Sequence, residues 1–365
     1  MHNINKTKEW TVLLYASAIN ELEPYILKEL SLIKNTVNSD KINVICQISR
    51  TSPEENSHNN KIKVITQRYI IKNNNIYLIE DLGGKNMAEP KTLFEFLLWA
   101  TERFSSNSIM LAISGHSAGF VGLIQTKTEN GKNFMGINGF AKALRLFQEL
   151  SNKKIDILVF DTCFMNMIEI WYEIIVTSNG TVKYAILPLD NSPLYGLPLY
   201  LIINNLNKNH LIDTLKFIVS SINSRYPIQS HVFAITLDAD YFIKLRILID
   251  KIADFLIKEN VILKNSLEKY QASNIINDCI NLLYLLDKIV CIYPNLSENC
   301  LSISFLINQI VICPSLNSIK DDPNLGLKLF LPNTPEVFNK FSNIYQSLSF
   351  SYYNNWLNLI EINNS

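Results

Sequence analysis

The sequence predicts an α/β fold built on a mainly parallel sheet covered on both faces. Three observations carry this expectation: short apolar runs with little periodicity recur along the chain, segments with helical apolar spacing separate them, and polar turn-rich stretches punctuate the pairs. The length of 365 residues, with 48% apolar and 18% charged residues, suits one large domain or two smaller ones with a full core.

Taken in order, Trp10–Ser17 (WTVLLYAS) is a strand, and Glu21–Ile33 is a helix in which Leu22, Tyr25, Ile26, Leu30 and Ile33 share a face. Ile42–Ile48 is the next strand. The polar stretch Ser52–Asn60 and the runs Lys63–Tyr69 and Ile76–Ile79, joined across Asn73, Asn74 and Asn75, predict an antiparallel excursion with a tight turn. The alternation then resumes with a helix over Thr92–Phe104, a strand over Ser108–Ser114, a helix over Gly139–Leu150 and a strand over Ile155–Asp161. A helix over Met165–Ile175 and strands over Lys183–Leu187 and His231–Leu237 follow. Between the Ser108–Ser114 strand and its helix lies Gln125–Asn133 (QTKTENGKN), a polar loop of the kind that is functional or cleavable. The last third is helical at first, then gives a strand-like Gly326–Pro332 and an aromatic tail through Trp356. Residues 1–258 are expected to form the core, and 259–365 a helical C-terminal extension that returns to it near 326–332.

Charge narrows the function classes. Lys and Arg number 33, as do Asp and Glu, and the isoelectric point is near 6.9, so no nucleic-acid or anionic-membrane footprint exists and neither partner is expected. Apolar runs such as Ile109–Ile113 and Leu282–Tyr293 fall short of the roughly 20 residues a spanning helix needs. The start, Met1–Trp10, lacks the charged opening and apolar run of a secretory signal, so the mature chain is expected to begin here and to be cytoplasmic. Six cysteines in a chain of this length predict reduced thiols, and the absence of a Cys-x-x-Cys pair disfavours a zinc ribbon. No phosphate loop or metal-ligand cluster stands out, and the sequence requires no cofactor; Asp238-Ala239-Asp240 is expected to cap a helix beginning near Tyr241.

Parallel sheets react at the carboxyl ends of their strands. SIMLAIS is followed by Gly115-His116-Ser117-Ala118-Gly119, and IDILVF by Asp161-Thr162-Cys163. Adjacent strand ends would place His116 and Cys163 on one crevice. A thiol near its free pKa of about 8.5 needs a base or a helix N-terminus to become a nucleophile, and Cys163, expected at the start of a helix from Phe164, has both on offer. Of five histidines, only His116 directly follows an apolar strand. The blander alternatives are a buried cysteine acting as a small hydrophobe and a structural histidine.

A competing motif overlaps this one. Gly115–Gly119 is literally G-x-S-x-G, the strand-to-helix elbow of serine hydrolases, with Ser117 as nucleophile and Asp190 and His210 or His231 as downstream partners. Against it, Phe120–Ile124 meets a turn instead of opening a helix, and no HGGG-type oxyanion motif precedes it.

At these residues the sequence resembles the clostripain family of cysteine peptidases in the caspase-like clan. WTVLLYASAINELE, DLGGKNMAEPKTLFEFLLWA, SGHSAGF, FDTCFMNMIEI, FAITLDADYF and the closing GLKLFLP with Trp356 carry the resemblance, which covers nearly the whole chain. It implies a three-layer caspase-like fold and hydrolysis of peptide bonds after Arg or Lys, through a thioester, by a monomer acting on protein or peptide substrates. Residue by residue, it implies His116 and Cys163 as the catalytic pair and the backbone N–H groups of Cys163 and Ser117 as the oxyanion hole. Ser117 stands where the family usually has Gly, which would strain the chain if that position needs a positive φ. Asp161 would be the floor of a pocket for a basic side chain, the alternative being a helix N-cap; Asp190 would be a second pocket wall. Lys127 and Lys132 become sites of self-cleavage by analogy with relatives that cut themselves after the His. Calcium dependence and secretion both occur among relatives, although nothing here resembles an EF-hand loop. A non-catalytic caspase-like binding module is a third reading, because Ser117 and the surroundings of Asp190 depart from the family pattern.

Overall fold

A computed structural model of the chain describes residues 7–38, 40–53, 62–128, 131–207, 210–261, 263, 278–313, 322, 325–352 and 354–364. In chain order the elements are β1 (Lys8–Ala18), α1 (Glu23–Thr36), β2 (Ile42–Pro53), β3 (Ile62–Lys72), β4 (Asn75–Asp81), α2 (Pro90–Arg103) and β5 (Ser106–Ser114). Then come β6 (Leu123–Thr128), β7 (Gly131–Met135), α3 (Ile137–Ser151), β8 (Ile155–Asp161), α4 (Ile168–Thr177), β9 (Val182–Pro188), α5 (Leu199–Asn204) and α6 (Leu211–Asn223). The remainder is β10 (Val232–Thr236), α7 (Ala239–Lys258), β11 (Cys279–Asn281), α8 (Leu282–Ile292), α9 (Ser297–Ile310), β12 (Val311–Cys313), β13 (Lys328–Phe330), α10 (Pro335–Gln346), α11 (Ser349–Tyr352) and α12 (Trp356–Asn364).

A nine-stranded sheet runs β12-β10-β9-β8-β5-β1-β2-β3-β4. Its five middle strands, β9, β8, β5, β1 and β2, are parallel. Their side chains alternate between two buried layers, which is why the runs are apolar without a two-residue period. Val12, Leu14, Val44, Met110, Ile157 and Val159 face α1, α5 and α6, whereas Leu13, Tyr15, Leu111, Ile113, Leu158 and Phe160 face α2, α3, α4 and α7. The second layer continues through β13 and Tyr345 to Trp356 and Ile360, so the C-terminal elements share this core.

Three placements differ from a pattern-based reading. β10 runs antiparallel to β9, and β12 antiparallel to β10, so the sheet's far edge is not parallel. Strand direction depends on where the connection returns, which apolar content does not encode. The polar stretch around Gln125 is a hairpin of β6 and β7 forming its own two-stranded sheet, with Lys127 opposite Lys132 in register. β13 joins no ladder of the large sheet; it pairs with β11 and bridges Met167 in parallel through Lys328. At the other edge, β3 and β4 form the antiparallel pair expected around Asn73 and Asn74, both at positive φ. β4 closes the sheet with all seven residues exposed, among them Ile76, Tyr77, Leu78 and Ile79.

Candidate active site

The register Ser114↔Asp161 between β5 and β8 fixes the site. Both strands end there, so His116 and Cys163 each lie two residues beyond a paired position at the carboxyl edge of the sheet. The backbone turns sharply at both: Gly115 has φ 144°, and Phe164, directly after Cys163, sits in the left-handed region at φ 56°. A left-handed bulky residue costs on the order of 1–3 kcal/mol and persists only where its surroundings enforce it. Here they do. The Asn166 amide donates to the carbonyls of Leu189 (3.0 Å) and Gly326 (2.8 Å), pinning the segment between Cys163 and α4 to two distant parts of the chain.

This corrects the expected helix start. α4 opens at Ile168, not near Phe164, so Cys163 lies in a bend and gains no support from the first turn of a helix. Burial, joined by the negative charges of Asp161 and Asp190, pushes its thiol up to about 11 against a hydrogen bond from the Ser192 backbone. Sγ lies 3.7 Å from the Ser192 carbonyl oxygen, to which it donates. Burial at this position thus favours the neutral thiol over the thiolate.

His116 is held by a residue that motif reading missed. Its Nε2 is 2.8 Å from Glu21 Oε1, in the turn before α1. The contact holds the ring through Nε2. Glu21 belongs to the stretch WTVLLYASAINELE, but nothing in its spacing ties it to a histidine 95 positions later.

Two cavities meet at His116 and Cys163, and both residues line each of them. The first, about 220 Å³, runs between α1 and the loop 192–196, with Ala16, Leu22, Ile26, Leu194 and Leu199 among its walls and Asp161 within it. Asp161 is not a helix N-cap. Its Oδ1 accepts from Ser192 Oγ and from the Leu197 N–H, both at 2.7 Å, and its Oδ2 accepts from Ser114 Oγ at 3.0 Å. These donors offset a burial that raises its carboxyl above the ordinary range. Gly196, at φ +78°, leaves room for it: a Cβ there would stand 2.9 Å from Asp161 Oδ2. The second cavity, about 600 Å³, is lined on the opposite side by Phe120, Phe134, Phe164, Met167 and Phe341.

The other anticipated residues are placed as follows. Asp190 does not line the first cavity; Lys328 of β13, only 7% exposed, donates to its Oδ1 at 2.5 Å. Ser117 is buried, donates its hydroxyl to the Cys163 carbonyl and accepts from Thr162 Oγ1 at 2.6 Å. It is absent from the positive-φ residues, so the serine replacing glycine strains nothing. A single 3-10 turn, Gly119–Val121, follows it instead of a helix, so the elbow reading lacks its helix; His231 is bonded to the Tyr226 carbonyl at 3.0 Å, and His210 directly precedes α6. Lys127 and Lys132 lie on the β6–β7 hairpin. Among the described residues no three His, Cys, Asp or Glu side chains are placed to hold a metal ion. No helix among them is long and apolar enough to cross a membrane.

Comparison with known proteins agrees with this architecture. A sequence profile of the clostripain family matches residues 14–362. No curated protein is significantly similar in sequence. Among solved structures, an inactive zymogen of a C11 protease from Parabacteroides distasonis superposes with a TM-score of 0.69 at 17% identity, covering 96% of this chain and 99% of that one. A secreted C11 cysteine protease from Bacteroides thetaiotaomicron, bound to an irreversible peptide inhibitor, gives 0.65 at 14% identity over 95% and 99%. The fold is caspase-like, and the chain belongs to the clostripain family of cysteine peptidases.

Proposed function

We propose that this chain is an endopeptidase that cuts after basic residues, with Cys163 as nucleophile and His116 as proton carrier. The observation that carries the reading is the junction of two cavities at those residues, with a half-buried carboxylate, Asp161, in one of them. The basic side chain on the acyl side enters the Asp161 cavity, and the leaving side crosses the aromatic one. As Cys163 Sγ attacks the scissile carbonyl carbon, its proton passes to His116 and on to the departing amine, leaving a thioester that water hydrolyses. The backbone N–H groups of Cys163 and Ser117 hold the oxyanion. Glu21 acts as a positioning residue, holding the His116 ring through Nε2. The chain works as a monomer and without a cofactor, and matures by cutting itself after Lys127 or Lys132.

The test compares wild type, Cys163→Ala and Ser117→Ala on matched Arg, Lys and uncharged fluorogenic peptides and a short-chain ester, with and without calcium. Basic-peptide cleavage lost only in Cys163→Ala is the expected result. Ester cleavage lost only in Ser117→Ala would establish the serine hydrolase instead, and a folded wild type silent on every substrate would mean a binding module. A Lys127→Gln, Lys132→Gln double variant that matures normally would remove the self-cleavage step.

A further inference from the structure

The cavity beside Cys163 contains a second carboxylate. Glu29, midway along α1, lines it together with Asp161. The Tyr200 N–H donates to Glu29 Oε1 at 2.7 Å. Tyr200 belongs to α5, which begins two residues after Leu197, whose N–H holds Asp161. One short stretch, 192–200, therefore anchors both carboxylates to a single cavity.

Neither carboxylate is in an ion pair among the described residues. Burial, with the charge of Asp161 adding to it, pushes the Glu29 carboxyl up to about 7 despite the Tyr200 hydrogen bond. Two carboxylates in one apolar-walled space repel each other and are poorly solvated, a cost that a cation between them relieves. The residue expected to be the second wall, Asp190, is already paired with Lys328 outside this cavity.

We infer that Glu29 takes that place: it and Asp161 together form the subsite for the basic side chain, whose aliphatic stem lies along Leu22, Ile26 and Leu199. This rests on the peptidase reading above. The second carboxylate comes from the helix after the first strand instead of the loop after β9, so specificity is shared between α1 and the end of β8.

The experiment measures kcat/KM for wild type, Glu29→Gln and Glu29→Asp on matched Lys, Arg and uncharged peptides at pH 8, above the Glu29 value. Gln can still accept from Tyr200, and a thermal melt checks that the variants are folded. The basic-to-uncharged ratio is expected to fall roughly tenfold or more in Glu29→Gln, about 1.4 kcal/mol, and to recover in part in Glu29→Asp. A wild type that prefers basic peptides with an equal ratio in folded Glu29→Gln overturns this inference alone. A wild type that cuts no basic peptide overturns the reading beneath it.

Discussion

One added methyl group at position 196 is expected to close the pocket. A Cβ on Gly196 would stand 2.9 Å from Asp161 Oδ2 at a φ of +78°, so Gly196→Ala both strains the loop by about 1–2 kcal/mol and crowds the carboxylate. Kinetics on basic peptides should show KM raised roughly tenfold with a smaller effect on uncharged ones, since 1.4 kcal/mol is tenfold. Glu21→Gln keeps the shape but weakens the hold on His116 Nε2. It should lower kcat several-fold, KM changing little, and shift the acid limb of the pH–rate profile, which loss of packing alone would leave in place. At this scale the placement of His116, Cys163 and Asp161 was legible because each lies at or within two residues of the carboxyl end of an apolar strand, where such sheets react. Glu21 and Glu29 were not. Their partners lie 95 and 171 positions away, and Glu29 sits on the helix that covers the pocket, so only the packed structure says what they face.

The clasp between α4 and the C-terminal elements sets a pH dependence. Glu169, fully buried on α4, accepts from the Phe330 N–H of β13 at 2.7 Å and from the Tyr345 hydroxyl of α10 at 2.9 Å. Burial raises its carboxyl to about 7 against these bonds. A carboxyl at about 4.5 unfolded and about 7 folded favours the folded state when protonated, so that stability is complete below pH 4.5 and is lost as the pH rises through 7. At 1.36 kcal/mol per pKa unit the loss is of order 3 kcal/mol. Glu29 adds a loss of the same sign. Denaturant melts should show wild type losing stability from pH 5 to 8 and Glu169→Gln losing distinctly less; equal slopes would rule the clasp out as the cause. The same elements show where pattern reading stops. The apolar spacing of α4 predicted a helix, but its first turn is displaced to Ile168 by Asn166, whose amide serves Leu189 and Gly326. No local sequence reports a contact 160 residues away.

Over the whole molecule, the order of strands and helices was legible because each central strand is buried on both faces, and the antiparallel direction of β10 was not, because direction belongs to the connection. The β4 edge is the exposed counterpart of that buried centre. Ile76, Tyr77, Leu78 and Ile79 present open backbone groups and apolar side chains together, a template for pairing with another chain. Heating should produce turbidity that Leu78→Lys delays without moving the melting temperature; turbidity with an unchanged onset would place the sticky surface elsewhere.

The contacts of β13 also put the site on a clock. Asp190 waits for Lys328, 138 positions later, and Asn166 for Gly326, 160 positions later. At about 5–20 residues per second, the chain bearing Cys163 leaves the ribosome on the order of 10 s before the segment that completes its surroundings. For that interval the newborn chain carries Cys163 and His116 without the contacts that pin the loops around them, so the surroundings of that crevice are completed only when the segment at Gly326–Lys328 arrives.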